Sequence, residues 1–371
     1  MEGKFNKKER LLSLDTLRGF DMLFIMGLAG WIVALCDVLP DSTFTNWLAS
    51  QMKHAEWHGL THHDTIFPLF LFIAGISFPF SIAKQRAAGK TEKQIFLKII
   101  KRGLMLVFLG LVYNDLFRLN FENQRYASVL GRIGLAWMFS ALLFMKFKTK
   151  PLIIIAVATL VGYWLLLWFI PGGKDTYALE NNLVGMIDRV LLPGKFYGGD
   201  PYFDPLGLFS TFPAIVNAML GMFTGQFIRI SSDKISENKK VVYLLIAAVV
   251  FLIIGLAWNY VFPINKNLWS SSFVCVVAAY SLFLFAIFYY IIDIKGYRRW
   301  TFFFRVVGMN SITIYLAQRA ISFSYTSRFF FGGLAGKFPD AWASLINATG
   351  FIIVCWLFLY FLYKKNVFLK V

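Results

Sequence analysis

The chain has 371 residues, 58% hydrophobic and 18% aromatic, with a mean hydropathy of +0.62. Only 15% are charged, against about 25% in soluble domains, so one soluble core could not bury this much apolar surface. The net charge of +17 comes without any nucleic-acid motif, and basic loops facing anionic lipid headgroups account for it.

In chain order, the first segment, MEGKFNKKERLLSLDTLRGF, has the charged start of a signal peptide. The apolar run behind it continues to Leu39 without a small-residue cleavage site, which reads as an uncleaved first span. Apolar stretches then recur at lengths that cross a bilayer, about 18 residues or more. The expected spans are 16–39, 64–83, 103–117, 128–145, 151–170, 206–228, 241–262, 269–292, 301–322 and 344–363. The third is short, so a tilt or a break is expected there. Lipid offers backbone groups no partners, and segments of this length are helices rather than barrel strands. The predicted fold is an all-α polytopic membrane bundle of about ten helices, one domain over residues 1–371. Segments on one side of these spans carry 24 Lys and Arg, whereas the longer loops opposite carry 9. The positive-inside rule therefore puts both termini in the cytoplasm.

Cys36, Cys275 and Cys355 are scattered through spans, as neither a disulfide framework nor a metal knuckle would be. The longest loop, 171–205, is rich in Gly, Pro, Asp and Tyr, with one short helix expected at 183–192. Its Phe196, Tyr197, Tyr202 and Phe203 read either as a carbohydrate platform or as an interfacial aromatic belt. Arg18, Arg132, Arg305 and Arg319 fall within or at the margins of spans, where a charge points to a polar cavity. Arg18 and Asp21 are spaced i, i+3 and are expected to neutralise each other. Asp15, Asn114, Asp115, Asn217, Asn310, Ser311 and Gln318 add to a solvated interior. No internal repeat is evident.

The chemistry concentrates in KHAEWHGLTHHDTIFPLFLFIAG, residues 53–75. All four histidines, His54, His58, His62 and His63, fall within ten residues. His54, His58 and His62 are spaced i, i+4, i+8 and would line one face of a helix, a spacing that can hold zinc. Gly59 interrupts such a helix and no HExxH motif is present. A metal site, a solvated cluster without chemistry and a catalytic histidine all remain open on residues alone.

SLDTLRGFDML (13–23), followed by the histidine stretch, resembles the first two spans of the heparan-α-glucosaminide N-acetyltransferase family. FDPLGLFSTFPAIVNAMLG (203–221), FPINKNLWSSSFV (262–274) and DIKGYRRWTFFFRVVGMNSITIYL (293–316) resemble later stretches of that family, in the family's order. The resemblance is to its bacterial-type members, which lack an extra N-terminal region. It implies a multi-pass acyltransferase of the bacterial inner membrane, moving acetyl from cytoplasmic acetyl-CoA to the amine of an extracytoplasmic glucosamine-type sugar. It also implies a homodimer.

In that family the histidine of the KHAxW element is implicated in transfer; here it is His54. Trp57 and Asp64 also fit the pattern, whereas Glu56, His58, His62 and His63 receive no role from it. A polar asparagine late in the family's first span is Ala29 here. Asp64 is expected either to orient the His54 ring or to cap the second span with Thr61. Trp57, Asn265, Lys266, Asn267 and Trp269 are candidates for binding the acceptor, and the last four also for the thioester oxygen. Arg18, Arg102, Arg132, Asn310 and Ser311 are candidates for acetyl-CoA. Lys98, Lys101, Arg298 and Arg299 could meet its phosphates or act only as topology determinants. No metal is expected. An acetyl-histidine route and direct transfer with His54 as general base both fit. Two other functions are compatible with the sequence: an amino-sugar permease, and a metal-dependent membrane hydrolase built on the four histidines.

Overall fold

The computed structural model describes residues 11–171 and 175–369. The basic start of the chain, residues 1–10, and residues 172–174 of the long loop lie outside them. Among the described residues the chain is helical throughout, without strands; one isolated bridge joins Arg125 and Gly194.

Fourteen helices follow one another among the described residues. They are α1 (Leu12–Val38), α2 (Thr43–Gln51), α3 (His62–Ala87), α4 (Glu92–Tyr113), α5 (Val129–Lys146), α6 (Thr149–Phe169) and α7 (Leu183–Leu191). Then come α8 (Thr211–Ile228), α9 (Glu237–Asn259), α10 (Ser271–Ile294), α11 (Thr301–Met309), α12 (Ser311–Ala320), α13 (Phe323–Ala335) and α14 (Asp340–Lys364). Eight of these, α1, α3, α5, α6, α8, α9, α10 and α14, are long and apolar enough to cross a membrane. They correspond to eight of the ten expected spans, and the chain is a polytopic helical membrane protein. The other two expected spans take different forms. The third is the apolar end of α4, whose first turns are basic, and the ninth is divided into α11 and α12 at Asn310. The expected short helix of the long loop is α7.

The chain forms two compact units: residues 11–49, 235–245 and 282–369, and residues 50–234 and 246–281. The divisions fall inside α2, α9 and α10 and in the connection between α8 and α9. In the first unit, α1 packs on α11 and α14, and α13 packs on α14. Met22, Met26, Val306, Ile314, Cys355 and Leu359 form its apolar centre. Leu11 offers α1 no capping side chain, and Asp293 does so from a distance, taking the backbone N–H groups of Leu12 and Ser13 at 3.3 and 3.2 Å. That arrangement satisfies two of the donors orphaned at the helix start. A π-helical turn at Phe24–Leu28, with Gly27 at φ 139°, interrupts α1, and Gln318 donates to the Met26 carbonyl at 3.2 Å. Arg18 pairs with Asp15 at 3.6 Å, so the expected Arg18–Asp21 pairing gives way to one a turn earlier on the helix.

In the second unit, α3 lies against α8, and glycines set the separation. A methyl group at Gly75, Gly221 or Gly225 would collide with the carbonyl oxygens of Ala218, Phe72 and Ile76 respectively. Small residues let membrane helices approach to backbone contact, where dispersion and packing replace the hydrophobic drive that lipid removes. The helices α6, α9 and α14 leave most of their apolar surface uncovered by protein, as lipid contact requires.

Candidate active site

Residues 53–61 do not continue a helix. Gly59 adopts φ 115°, and its N–H donates to the Ile264 carbonyl at 2.8 Å. The helical face expected of His54, His58 and His62 is therefore absent. The segment is instead a loop fastened to the turn at 263–270. Helix α3 begins at His62 because Thr61 and Asp64 form a capping box, each serving the other's orphan donor.

Asp64 is buried, with 1% side-chain exposure, and holds three parts of the loop together. Its Oδ2 accepts the backbone N–H groups of Ala55 at 3.2 Å and Thr61 at 3.1 Å. Its Oδ1 lies 2.8 Å from His54 Nδ1. Both roles considered for Asp64, orienting the ring and capping the helix, are thus present, one on each oxygen. A carboxylate only accepts hydrogen bonds, so Nδ1 carries the proton in this contact and Nε2 keeps its lone pair. The His54 side chain is 54% exposed.

Lys266 completes the group. Its ammonium nitrogen lies 2.9 Å from His54 Nδ1, 3.2 Å from Nε2 and 3.4 Å from Asp64 Oδ1. With Nδ1 protonated, the lysine donates to Nε2 or to the carboxylate. Burial lowers the Lys266 pKa below that of a free lysine, and the Asp64 charge opposes the shift. The turn carrying Lys266 is anchored in the helices: Asn265 Oδ1 accepts the Leu268 N–H at 2.8 Å, and Tyr163 donates to the Leu268 carbonyl at 2.7 Å. A base with an oriented tautomer, a carboxylate behind it and an ammonium beside it can take a proton or attack a carbonyl carbon. The ammonium is near enough to receive developing negative charge.

The other three histidines border this group. The His63 ring lies 4.5 Å from the His54 ring, centroid to centroid. His58 Nδ1 is 3.3 Å from Asn265 Nδ2, and His62 Nε2 is 3.0 Å from the Tyr280 hydroxyl. Among the described residues, no three His, Cys, Asp or Glu side chains gather as metal ligands would. Tyr280 carried no signal in the sequence; it reaches His62 from 218 positions away.

The remaining sequence candidates occupy varied places. Trp57 donates from its indole to the Tyr177 carbonyl at 2.8 Å and packs edge-on against Phe203. Asn265 and Trp269 are fully buried, and the Trp269 indole donates to Asn217 at 2.7 Å, beneath the loop. Asn267 is partly buried. Arg132 is buried over the Trp269 ring, 5.0 Å from its centroid, and donates to the Gly207 carbonyl at 3.0 Å and to Ser210. Among the described residues, its Nε and Nη1 have no hydrogen-bond partner. Arg102 lies 4.3 Å over the Trp137 ring. Arg18, Asn310 and Ser311 belong to the first unit, where Asn310 donates to the Val367 carbonyl at 3.3 Å and Ser311 to the Gly308 carbonyl at 2.9 Å. Of the loop aromatics read as a platform or an interfacial belt, Phe196 and Phe203 are buried, while Tyr197 is exposed under the Arg125 guanidinium. Arg125 in turn forms a two-pronged ion pair with buried Asp204, both contacts 2.7 Å.

Residues 10–119 match a family model described as a domain of unknown function, DUF5009. Along 100% of its length the chain is 24% identical to "Heparan-alpha-glucosaminide N-acetyltransferase" of Mus musculus, covering 62% of that protein. To the protein of the same name from Homo sapiens it is 26% identical over 98% of its length, covering 60% of that protein. The chain thus spans about three fifths of each relative. The resemblance carried by the motifs therefore extends along the whole chain: its curated relatives are heparan-alpha-glucosaminide N-acetyltransferases, and the domain match is consistent with that family.

Proposed function

We propose that this chain is a membrane acetyltransferase that moves acetyl from acetyl-CoA on the cytoplasmic side to the amine of a glucosamine-type sugar on the opposite face. The observation that carries the reading is the contact of His54 Nδ1 with buried Asp64, with Lys266 against the same ring. His54 is the catalytic base or nucleophile through Nε2. Asp64 holds the ring and its tautomer, and Lys266 steadies the oxyanion formed at the acetyl carbon.

In direct transfer, the amine nitrogen bonds to the acetyl carbon and its surplus proton passes to Nε2. The carbon–sulfur bond breaks, and the leaving thiolate is protonated from the imidazolium. In the covalent route, Nε2 bonds to the acetyl carbon as the carbon–sulfur bond breaks and the CoA thiolate leaves, to be protonated from solvent; the amine then bonds to that carbon as the carbon–Nε2 bond breaks, and the amine's surplus proton passes to the freed Nε2 and on to solvent. The donor side of the reading rests on acetyl-CoA being a cytoplasmic metabolite and on the basic cytoplasmic loops read from the sequence. Arg102 and the exposed Lys98 and Lys101 on α4 would meet its phosphates.

The test uses purified protein in proteoliposomes with radiolabelled acetyl-CoA and glucosamine. Acetyl-CoA-dependent formation of labelled N-acetylglucosamine is expected. Uptake of N-acetylglucosamine without acetyl-CoA, and no acetylated product, would instead make the protein a permease. Omitting the acceptor separates the routes: stoichiometric, acid-labile label on the protein marks the covalent one.

A further inference from the structure

Trp269 adopts φ 54°, in the left-handed region that a bulky residue rarely enters. Such a conformation persists where the surroundings over-determine it, commonly beside functional groups. Here it closes the turn that presents Lys266. The Trp269 N–H donates to the Lys266 carbonyl at 3.1 Å, and the Ser270 N–H donates to the Asn265 carbonyl at 3.0 Å.

The Trp269 side chain is fully buried and held from three helices. Phe67 of α3 meets its ring edge-on at 5.0 Å, and Asn217 of α8 takes its indole N–H. Arg132 of α5 lays its guanidinium over the ring, a contact that strengthens on desolvation. Burying a guanidinium is costly unless a carboxylate pairs with it, and the two acids near Arg132 are bonded elsewhere. Asp204 pairs with Arg125, and Asp188 Oδ1 accepts the Leu208 and Phe209 N–H groups. Tyr163, also near Arg132, donates to the Leu268 carbonyl in the same turn as Lys266. Among the described residues, the Arg132 cation therefore rests on an indole face and on two neutral acceptors, Gly207 and Ser210.

Lys266 is faced by His54, His63 and Asp64 on one side and by the Arg132 charge from α5. Burial lowers its pKa, the Arg132 charge adds to that, and Asp64 opposes both.

We infer that Arg132 is a positioning residue for Lys266, clamping Trp269 so that the turn holds the ammonium against His54, and placing a second positive charge behind it. The inference rests on the acetyltransferase reading for what Lys266 does, but not for how it is held. It gives Arg132 a place beneath the site instead of the acetyl-CoA contact expected from the sequence.

The test follows Lys266 directly. With 19% of its side chain exposed, it can be labelled by acetic anhydride, and peptide mass spectrometry across a pH series gives the midpoint at which it loses its charge, without turnover. Arg132→Met and Arg132→Gln remove a like charge and should raise that midpoint by about half a pH unit or more. Arg132→Lys should leave it near the wild-type value. In glucosamine acetylation all three variants should lose kcat by about tenfold or more, because the clamp on Trp269 is gone, with KM for acetyl-CoA unchanged. The alkaline limb of kcat should move with the labelling midpoint in the neutral variants only.

Where a neutral variant does not fold, as melting in detergent would show, Arg132→Lys decides. It keeps the charge and loses the planar stack, so kcat should fall at an unchanged midpoint. Equal midpoints in wild type and a folded neutral variant, or wild-type kcat in Arg132→Lys, would overturn the inference. So would a KM for acetyl-CoA raised about tenfold, which would place Arg132 in the donor site. A shifted midpoint in a protein that acetylates nothing would keep the link between Arg132 and Lys266 and remove the acetyltransferase reading.

Discussion

Asp64 presents one carboxylate oxygen to His54 Nδ1 at 2.8 Å and the other to the backbone N–H groups of Ala55, next to His54, and of Thr61, which caps α3. The same side chain therefore sets the protonation pattern of the ring and the position of the loop that carries it. Substitutions at the two residues should have different consequences.

Replacing His54 with alanine removes a half-exposed ring and little packing. Acetyl transfer should fall by about 10²–10⁴-fold, the usual worth of a general base or more if the ring is the nucleophile. Acetyl-CoA affinity and melting temperature should stay near the wild-type values. Near-normal turnover in this variant would take His54 out of the chemistry.

Asp64→Ala should lose activity and stability together. Two backbone N–H groups and the Nδ1–H lose their acceptor in a buried place, at a cost of about 1–3 kcal/mol, read as a lower melting temperature in detergent. Asp64→Asn keeps one acceptor oxygen, but its NH2 group then faces, donor to donor, either the Nδ1–H or the Ala55 and Thr61 N–H groups. It should fold better than the alanine variant and remain strongly impaired. Wild-type kcat in Asp64→Asn would argue that the tautomer is not set here.

Lys266→Met should lower kcat by about 10²–10³-fold, as loss of one oxyanion donor does, with a smaller effect on KM. Because burial lowers the Lys266 pKa, its charge is lost at a lower pH than a free lysine's. The alkaline fall of kcat should therefore begin below the usual lysine range. Lys266→Arg, which stays charged throughout, should remove that fall while retaining some activity. An unchanged alkaline limb in the arginine variant would assign it to another group.

Asp188 lies buried in α7, where Oδ1 accepts the N–H groups of Leu208 and Phe209 at 2.9 and 3.3 Å. Burial raises its pKa to about 6 against those bonds and the Arg132 charge. The folded protein therefore binds this proton more tightly than the unfolded chain, whose carboxyl titrates near 3.9. The resulting stabilisation is complete below about pH 4 and disappears as the pH rises through about 6. Melting curves of wild type and Asp188→Asn, taken from pH 4 to 8, should differ in slope across that interval and run parallel above it. Parallel curves throughout would show that Asp188 titrates normally.

The spans were legible because lipid demands long apolar runs, and eight of them became continuous helices. Where polar residues interrupt the run, the outcome was less legible: the 301–322 segment breaks at Asn310, and 103–117 is the end of a helix that starts among basic residues. Within the site, the sequence supplied His54, Asp64 and Lys266 from stretches about 200 residues apart through their motifs. It could not supply their contacts, since periodicity describes neighbours on one helix, whereas His54 and Lys266 sit on loops and Asp64 in the first turn of α3. The i, i+4, i+8 histidine spacing does not make a helical face, as Gly59 already argued: that glycine turns the chain, and tertiary bonds to Ile264 and Asn265 outweigh helical register. Tyr280 had no motif at all. An isolated aromatic in a span looks like any other lipid-facing ring until the opposite wall is known.

The glycine contacts between α3 and α8 have a mechanical corollary. Backbone in contact with backbone leaves no side-chain cushion over which one helix could glide, so the rod that carries Asp64 is locked lengthwise to its neighbour. Any path to the proposed site must form without sliding that helix, so the carboxylate beneath His54 stays where it is.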